Sequence, residues 1–501
     1  MRYPFSSRVQ AFPRRSRIVH SFRPRLDSLE DRVVLSAAFD SVLTIGSDTA
    51  SILPADNAVD AAGNTYVTGI LRGVMDFDPS VDRPDGSDIL TPRGYADAFV
   101  AKYAPDNAFV WARRMGSDDT NINNEQIEEG AGVAVDGAGN VFVTGSFKGQ
   151  ADFGPFTLTS AGYSDVFVTK LDPNGSVLWA KSWGGSTRDQ GGGITIDVAG
   201  NVISVGTTLQ VVNSSGGVND TGFEVRKFSP TGAAVWSKRI DNSGGTAVSV
   251  GTDASGNVFV SGQFYGTADF NPDPKKTSYV TGASLMRVNG GANGYVLKLT
   301  ASGTFGWVAP FVAKTAEASN SWAFIEDLAV DGGGNILVGG HVSGQVDLNP
   351  SSSVDYRLPT PKTYNGFVAK LSSGGSLSWA KQTGGSSVHS LAVDASGAVY
   401  ATGGFSTEDF TPGSGLPSVT SNGGNDVYVT KFTASGTLDW ALTFGGTGSE
   451  NCRGIAVDAS GTIYLAGTYL GTTDFDPDPL TTHERTNTAF TDMFLLKLRQ
   501  S

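Results

Sequence analysis

Along the chain, short runs of β-branched, aromatic and aliphatic residues alternate with glycine-rich turns. Such runs, joined by turns like Pro173-Asn174-Gly175, predict hairpin-connected antiparallel strands. The pattern recurs seven times. Each unit opens with an apolar pair, an aspartate and a turn ending in glycine; the aspartates are Asp60, Asp136, Asp197, Asp253, Asp331, Asp394 and Asp458. A strand ending in glycine follows, as in Val141-Phe142-Val143-Thr144-Gly145. After a variable stretch comes a third strand that ends in lysine (Lys102, Lys170, Lys227, Lys298, Lys370, Lys431, Lys497). Nine residues beyond each of the first six lysines stands a tryptophan: Trp111, Trp179, Trp236, Trp307, Trp379 and Trp440.

Four short strands repeated every 56 to 78 residues predict an all-β chain, a seven-bladed β-propeller of four-stranded antiparallel blades. The tryptophans read as wedges between blades, and the aspartates as acceptors for backbone N–H groups of their own turns. Asp97, Asp165, Asn293, Asn365, Asp426 and Asp492, with Gly222 in the remaining unit, stand five before the lysines and mark the start of the third strand. The seventh unit stops soon after Lys497, without a tryptophan strand. Phe39 to Gly46 lines up with Leu438 to Gly445, with Ser41 at the tryptophan position. The N-terminal strand 39–46 is therefore expected to complete the last blade, 454–498. Residues 1–37 are set apart as a basic segment, expected to be a targeting sequence or a disordered tail, leaving 38–501 as a single propeller.

Composition narrows the function. Glycine is abundant at 65 residues and only 17% of residues are charged, which suits strands and tight turns rather than long helices. Residues 1–36 carry eight arginines and three acids, leaving the body 28 basic against 46 acidic residues, a formal charge of −18. Such a body repels phosphate backbones and argues against nucleic-acid binding. No stretch reaches the roughly 20 apolar residues of a membrane-spanning helix. The single cysteine, Cys452, excludes an intramolecular disulfide framework and reads as a small buried filler.

The opening Ala-Val-Asp-x-x-Gly-Asn, then Val-Phe-Val-Thr-Gly, Phe-Val-Thr-Lys and a Trp-Ala strand resemble the bacterial SBBP β-propeller repeat, with an NHL-like start. The resemblance covers residues 38–498 and implies the fold, with no single activity attached. Leu29-Glu30-Asp31-Arg32-Val33-Val34-Leu35-Ser36 resembles the Leu-Glu-x-Arg-x-Leu-Leu-Ser segment of exported planctomycete proteins, with Val34 in place of leucine. That resemblance implies export, to the cell envelope or beyond.

Two connections per unit are short and two are long. Strand alternation puts both long ones on one face, where a ligand is expected. The first long connection carries an Asp-Phe-x-Pro motif. Its alternating oxygens at Asp76 and Asp78, at Asp269, Asn271 and Asp273, and at Asp474, Asp476 and Asp478 are candidate calcium ligands. The competing reading is a turn capped by aspartate, stiffened by proline and anchored by phenylalanine. Both longer stretches depart from the EF-hand loop, with Pro274 and Pro479 at the sixth position.

Catalytic signatures are missing: there is no Gly-x-Ser-x-Gly, no His-Glu-x-x-His and no phosphate loop, and the four histidines lie far apart in sequence. The pattern favours a monomeric, non-catalytic surface module that binds an extracellular protein or glycan. The alternative is a propeller hydrolase or lyase acting on polysaccharide, with Asp118, Asp119, Glu125, Glu128 and Glu129 as candidate acids.

Overall fold

The computed structural model describes residues 37–500, apart from 82, 119–127, 210–221, 242–244, 283–291, 314–320, 352–353, 359–363, 409–418 and 488–489. Seven antiparallel sheets, each with four core strands, follow one another along the chain: the seven-bladed β-propeller expected from the repeat. In blade 2 the inner strand Glu129–Val135 pairs with Val141–Phe147, then Asp165–Leu171, then the outer strand Val177–Trp183. The other third strands begin at Asp97, Gly222, Asn293, Asn365, Asp426 and Asp492, as the column before the lysines foretold.

The last blade takes strands from both ends of the chain. Ala37–Ile45 lies antiparallel to Asp492–Gln500, with Ser41 opposite Lys497. In the other blades the residue opposite the lysine is tryptophan, as with Lys431 and Trp440. The N-terminal strand thus supplies the missing outer strand, in the register that the alignment with residues 438–445 gave. It begins two residues earlier than expected and carries a bulge between Phe39 and Ser41.

Neighbouring blades are clamped by the repeated residues. Trp111 Nε1 donates to Pro173 O of the next blade's outer turn at 3.0 Å, and Lys102 Nζ reaches the same carbonyl at 3.4 Å. The pairing recurs for Trp179 and Lys170 on Pro230 O, and for Trp379 and Lys370 on Ala434 O. Gly175, in that turn, has φ 80°, and a Cβ there would sit 2.7 Å from the Trp111 ring, so both conformation and space demand glycine. Trp440 differs: its buried Nε1 has no acceptor among the described residues. The last blade's third and outer strands come from opposite chain ends, so no hairpin turn lies there to offer a carbonyl. Gln500 Oε1 takes Lys431 Nζ instead, at 2.7 Å.

The inner-turn aspartates behave as read. Asp136 Oδ1 accepts the N–H groups of Ala138 and Asn140, and Asn140 Nδ2 donates to Oδ2.

The Asp-Phe-x-Pro connections do more than turn. Gln150–Phe153, Val346–Asp347 and Thr472–Asp474 each pair with the outer strand of the preceding blade, through Asp152 with Gly116, Asp347 with Val312 and Asp474 with Gly445. Phe77, Phe153, Phe270, Leu348 and Phe475 are fully buried behind them. Sequence periodicity did not reveal these short strands, because two to four residues form them only once a neighbouring edge is in place.

Candidate functional site

All seven inner strands converge on one cavity of about 510 Å³ along the propeller axis. A bulge shapes its wall. In six blades the inner strand slips by a residue or more against its neighbour: between Pro54 and Asp56, Gly130 and Gly132, Gly191 and Ile194, Ala247 and Ser249, Ile325 and Asp327, and Cys452 and Gly454. Bulges of this kind re-aim side chains and collect near functional sites.

The bulge sorts two columns of the repeat. Four residues before the turn aspartate stand Asp56, Gly132, Gly193, Ser249, Asp327, Ser390 and Gly454. Where this residue has a side-chain oxygen, it accepts a backbone N–H from the next blade. Val133 donates to Asp56 at 2.9 Å, Leu328 to Ser249 at 3.2 Å, Leu391 to Asp327 at 2.8 Å and Ile455 to Ser390 at 3.3 Å. Burial, opposed by the Val133 N–H and aided by the Asp327 charge, pushes the Asp56 carboxyl up to about 7. Asp327 is raised for the same first reason.

One residue earlier stand Ala55, Ala131, Gly192, Val248, Glu326, His389 and Arg453. Chemistry is thus concentrated on blades 5, 6 and 7, while the other four members are small or apolar. Glu326 Oε1 accepts Ser387 Oγ at 2.6 Å and lies 2.6 Å from His341 Nδ1. These contacts and the neighbouring His389 outweigh burial and hold Glu326 below its ordinary value. His389 Nδ1 lies 3.1 Å from Cys452 O; a carbonyl only accepts, so this nitrogen carries the proton and Nε2 faces Glu326 Oε2 at 3.9 Å. Burial, opposed by Glu326 and assisted by Arg453, lowers the His389 pKa. Arg453 is exposed on the cavity wall, and its guanidinium has no hydrogen bond or ion pair among the described residues.

An aromatic patch borders His341. Trp322, Phe324 and Tyr364 have ring centroids 4.9, 5.3 and 5.9 Å from the imidazole. The three rings stand at the ends of strands that meet the long connections, and Tyr364 is 53% exposed. The expected face therefore carries the aromatic surface. Sequence reasoning missed His341, His389, Glu326 and Arg453, because the histidines were judged by distance along the chain. The column five before the turn aspartate was the available signal for Glu326, His389 and Arg453.

Ser387, His341 and Glu326 are close enough to suggest a nucleophile triad. Their geometry does not support one, because serine and carboxylate share the same ring nitrogen (Nδ1–Oγ 3.0 Å), so the ring cannot relay a proton between them. Of the candidate acids, Glu129 lines the cavity and burial raises its pKa. Glu128 is buried against Ser117, Asp118 is exposed, and Asp119 and Glu125 lie outside the described residues. Cys452 is buried, its thiol pushed up to about 12 by burial.

The calcium candidates form chained turns. Asp76 Oδ1 accepts the Asp78 N–H, and Asp78 binds Ser80 Oγ and Arg83. Asp269 Oδ1 accepts the N–H groups of Asn271 and Ser278, Asn271 Oδ1 that of Asp273, and Asp273 Oδ1 that of Lys275. Asp474, Asp476 and Asp478 repeat the chain, with His483 Nδ1 3.0 Å from Asp476 Oδ2. Among the described residues no three His, Cys, Asp or Glu side chains converge in a metal-holding group. Calorimetric melting with excess calcium and then EDTA separates the two readings: an unchanged melting temperature leaves these loops as turns. A rise with calcium that vanishes on Asp269→Ala with Asp273→Ala would instead make these loops ion sites.

The fold and cavity define a seven-bladed β-propeller with a polar axial channel. No family model matches the sequence. The WD repeat-containing protein L264 of Acanthamoeba polyphaga mimivirus is 23% identical over 439 residues, covering 72% of this chain and 31% of the relative. The chain thus spans about a third of the length of that relative. The WD40 propeller domain of Doa1 is similar with a TM-score of 0.45 at 9% identity, covering 93% of this chain and 98% of that one. A chain of the mitotic checkpoint complex gives 0.42 at 10% identity, covering 92% and 96%. Likeness at this level says nothing of ligands.

Proposed function

We propose that the protein is an exported, SBBP-type propeller that acts as a binding scaffold for an extracellular protein or glycan through its long-connection face. The observation that carries this reading is the division of labour between faces. The short-turn face spends its aspartates on its own turns, while the opposite face joins exposed Tyr364 and half-buried Trp322 to a polar channel mouth. Aromatic surface beside hydrogen-bonding groups suits recognition. Export rests on the resemblance in residues 29–36. A polysaccharide hydrolase or lyase is the second reading, favoured by one observation: Glu129 and Glu326 share the channel with pKa values displaced in opposite directions, as an acid and an anionic partner require.

The test is a binding screen of envelope glycans and surface proteins with the full chain and with Tyr364→Ala. A binder that loses about tenfold or more in affinity on this exposed substitution supports the scaffold reading. Binding that ignores Tyr364 and fails instead on a short-turn-face substitution such as Ala62→Arg overturns it. Cleavage of a polysaccharide, lost on Glu129→Gln, would establish the enzyme.

A further inference from the structure

We propose that the axial channel holds its ligand through a carboxylate group, gripped by Arg453 of blade 7 and His389 of blade 6. This rests on the scaffold reading and names the chemistry of what is bound. Arg453 is a guanidinium on a cavity wall with no partner among the described residues. A planar fork of donors in such a place matches a carboxylate with two parallel hydrogen bonds. His389 is fixed by Cys452 O, which leaves Nε2, 3.9 Å from Glu326 Oε2, as the nitrogen without a hydrogen bond in this structure.

The surroundings leave that position for an anion. Glu326, the carboxylate that faces this nitrogen, has Oε1 engaged by His341 and Ser387, and its Oε2 stands 3.9 Å from His389 Nε2, too far for a hydrogen bond. Asp56 and Asp327 are committed to the interblade bonds, and burial favours their neutral forms. Across the channel the same column is Ala55, Ala131, Gly192 and Val248. Small residues there keep open a space of about 510 Å³, within the usual range for a small-molecule site.

A proton follows the ligand. With Nδ1–H donated to Cys452, a neutral His389 turns a lone pair toward the incoming carboxylate; protonation at Nε2 turns repulsion into a charged hydrogen bond. The groups facing that nitrogen are Glu326, which favours the charged ring, and Arg453 and His341, which oppose it. The bound state therefore takes up a proton, and affinity rises as pH falls.

The experiment titrates the full chain with D-glucuronate, succinate and, as the neutral control, D-glucose, at pH 5.5 and 7.5. Glucuronate and succinate are expected to bind and glucose not to bind. Arg453→Gln, at an exposed position, is expected to weaken both acids by about tenfold or more. His389→Gln is expected to keep binding and flatten its pH dependence. Binding of glucuronate but not succinate also supports the proposal and narrows the ligand to a sugar acid. Absence of carboxylate binding, equal binding of glucose, or affinity indifferent to Arg453→Gln overturns it. A partner still bound through Tyr364 while carboxylates are ignored sinks this proposal alone; carboxylate binding with a partner indifferent to Tyr364 sinks only the scaffold reading.

Discussion

A chain beginning at Ser47 is expected to lose its cooperative unfolding transition, or to melt far below a chain beginning at Ala37. The ten residues removed include the outer strand of the last blade. Ala37 and Ile45 are fully buried, and Phe39, Val42 and Leu43 pack on the cores on either side of that blade. Full burial of a Val, Leu, Ile or Phe side chain is worth about 1.5–3 kcal/mol, so one fully buried isoleucine and three half-buried side chains contribute roughly 4 kcal/mol. Domains of this kind are stable by only about 5–15 kcal/mol. Its removal also exposes the edge of Asp492–Gln500, a template for unwanted pairing. A synthetic peptide of residues 37–46 is expected to restore part of the melting temperature by re-adding the strand. If the two chains melt alike in calorimetry, the strand is ornamental and the closure carries no stability.

Stability is expected to be greatest near pH 4–5 and to fall toward neutrality. Asp56 and Glu450 have carboxyls pushed up to about 7, chiefly by burial, whereas the unfolded chain ionises them near 4. Between those values the folded state binds more protons, so its stability declines as pH rises through the window and levels off above about 7. For Asp56 the interval from 3.8 to about 7 corresponds to about 4 kcal/mol. Its opening onto a solvent-bearing channel brings the expected loss nearer ~2 kcal/mol. Below pH 4 the sign reverses: Asp60, Asp197, Asp331, Asp394 and Asp458 sit below the ordinary value because side-chain and N–H donors in and around their turns outweigh burial. Protonating them removes that support. At the alkaline end, burial brings Lys497 down to about 8, so stability recovers as pH rises from about 8 toward 10.5. Guanidinium unfolding across pH 4 to 10 checks the whole curve. Asp56→Ser offers a sharper control, because blades 4 and 6 already use Ser249 and Ser390 at that place to accept the next blade's N–H. It should keep the bond to Val133 and flatten the slope between pH 4 and 7; a slope left untouched would remove Asp56 from the explanation.

The repeat made most of the scaffold legible. The lysine-to-tryptophan spacing reports a local hairpin, and the match of Asp40, Leu43, Thr44 and Gly46 to the sixth outer strand was enough to place the closing strand in register. The short pairings at Asp152, Asp347 and Asp474 were not legible, since their stability comes from an edge in another blade. The channel cluster stayed hidden for a different reason. Glu326, His389 and Arg453 are 63 and 64 residues apart and meet only because the ring brings one repeat phase to one axis. Strand alternation misassigns them as well, because the bulge shifts the facing of every residue that precedes it.

The shared last blade has a consequence for the order of assembly. During synthesis the first strand made must wait for the last one, so the six intervening blades can settle in sequence while the ring stays open. Closure is then the last step in assembling the ring, and the same junction is the natural starting point for opening under heat or force. A protease offered the folded protein should find its earliest cut sites beside Ala37–Ile45, and a ligand that bridges blades 7 and 1 would act as a latch.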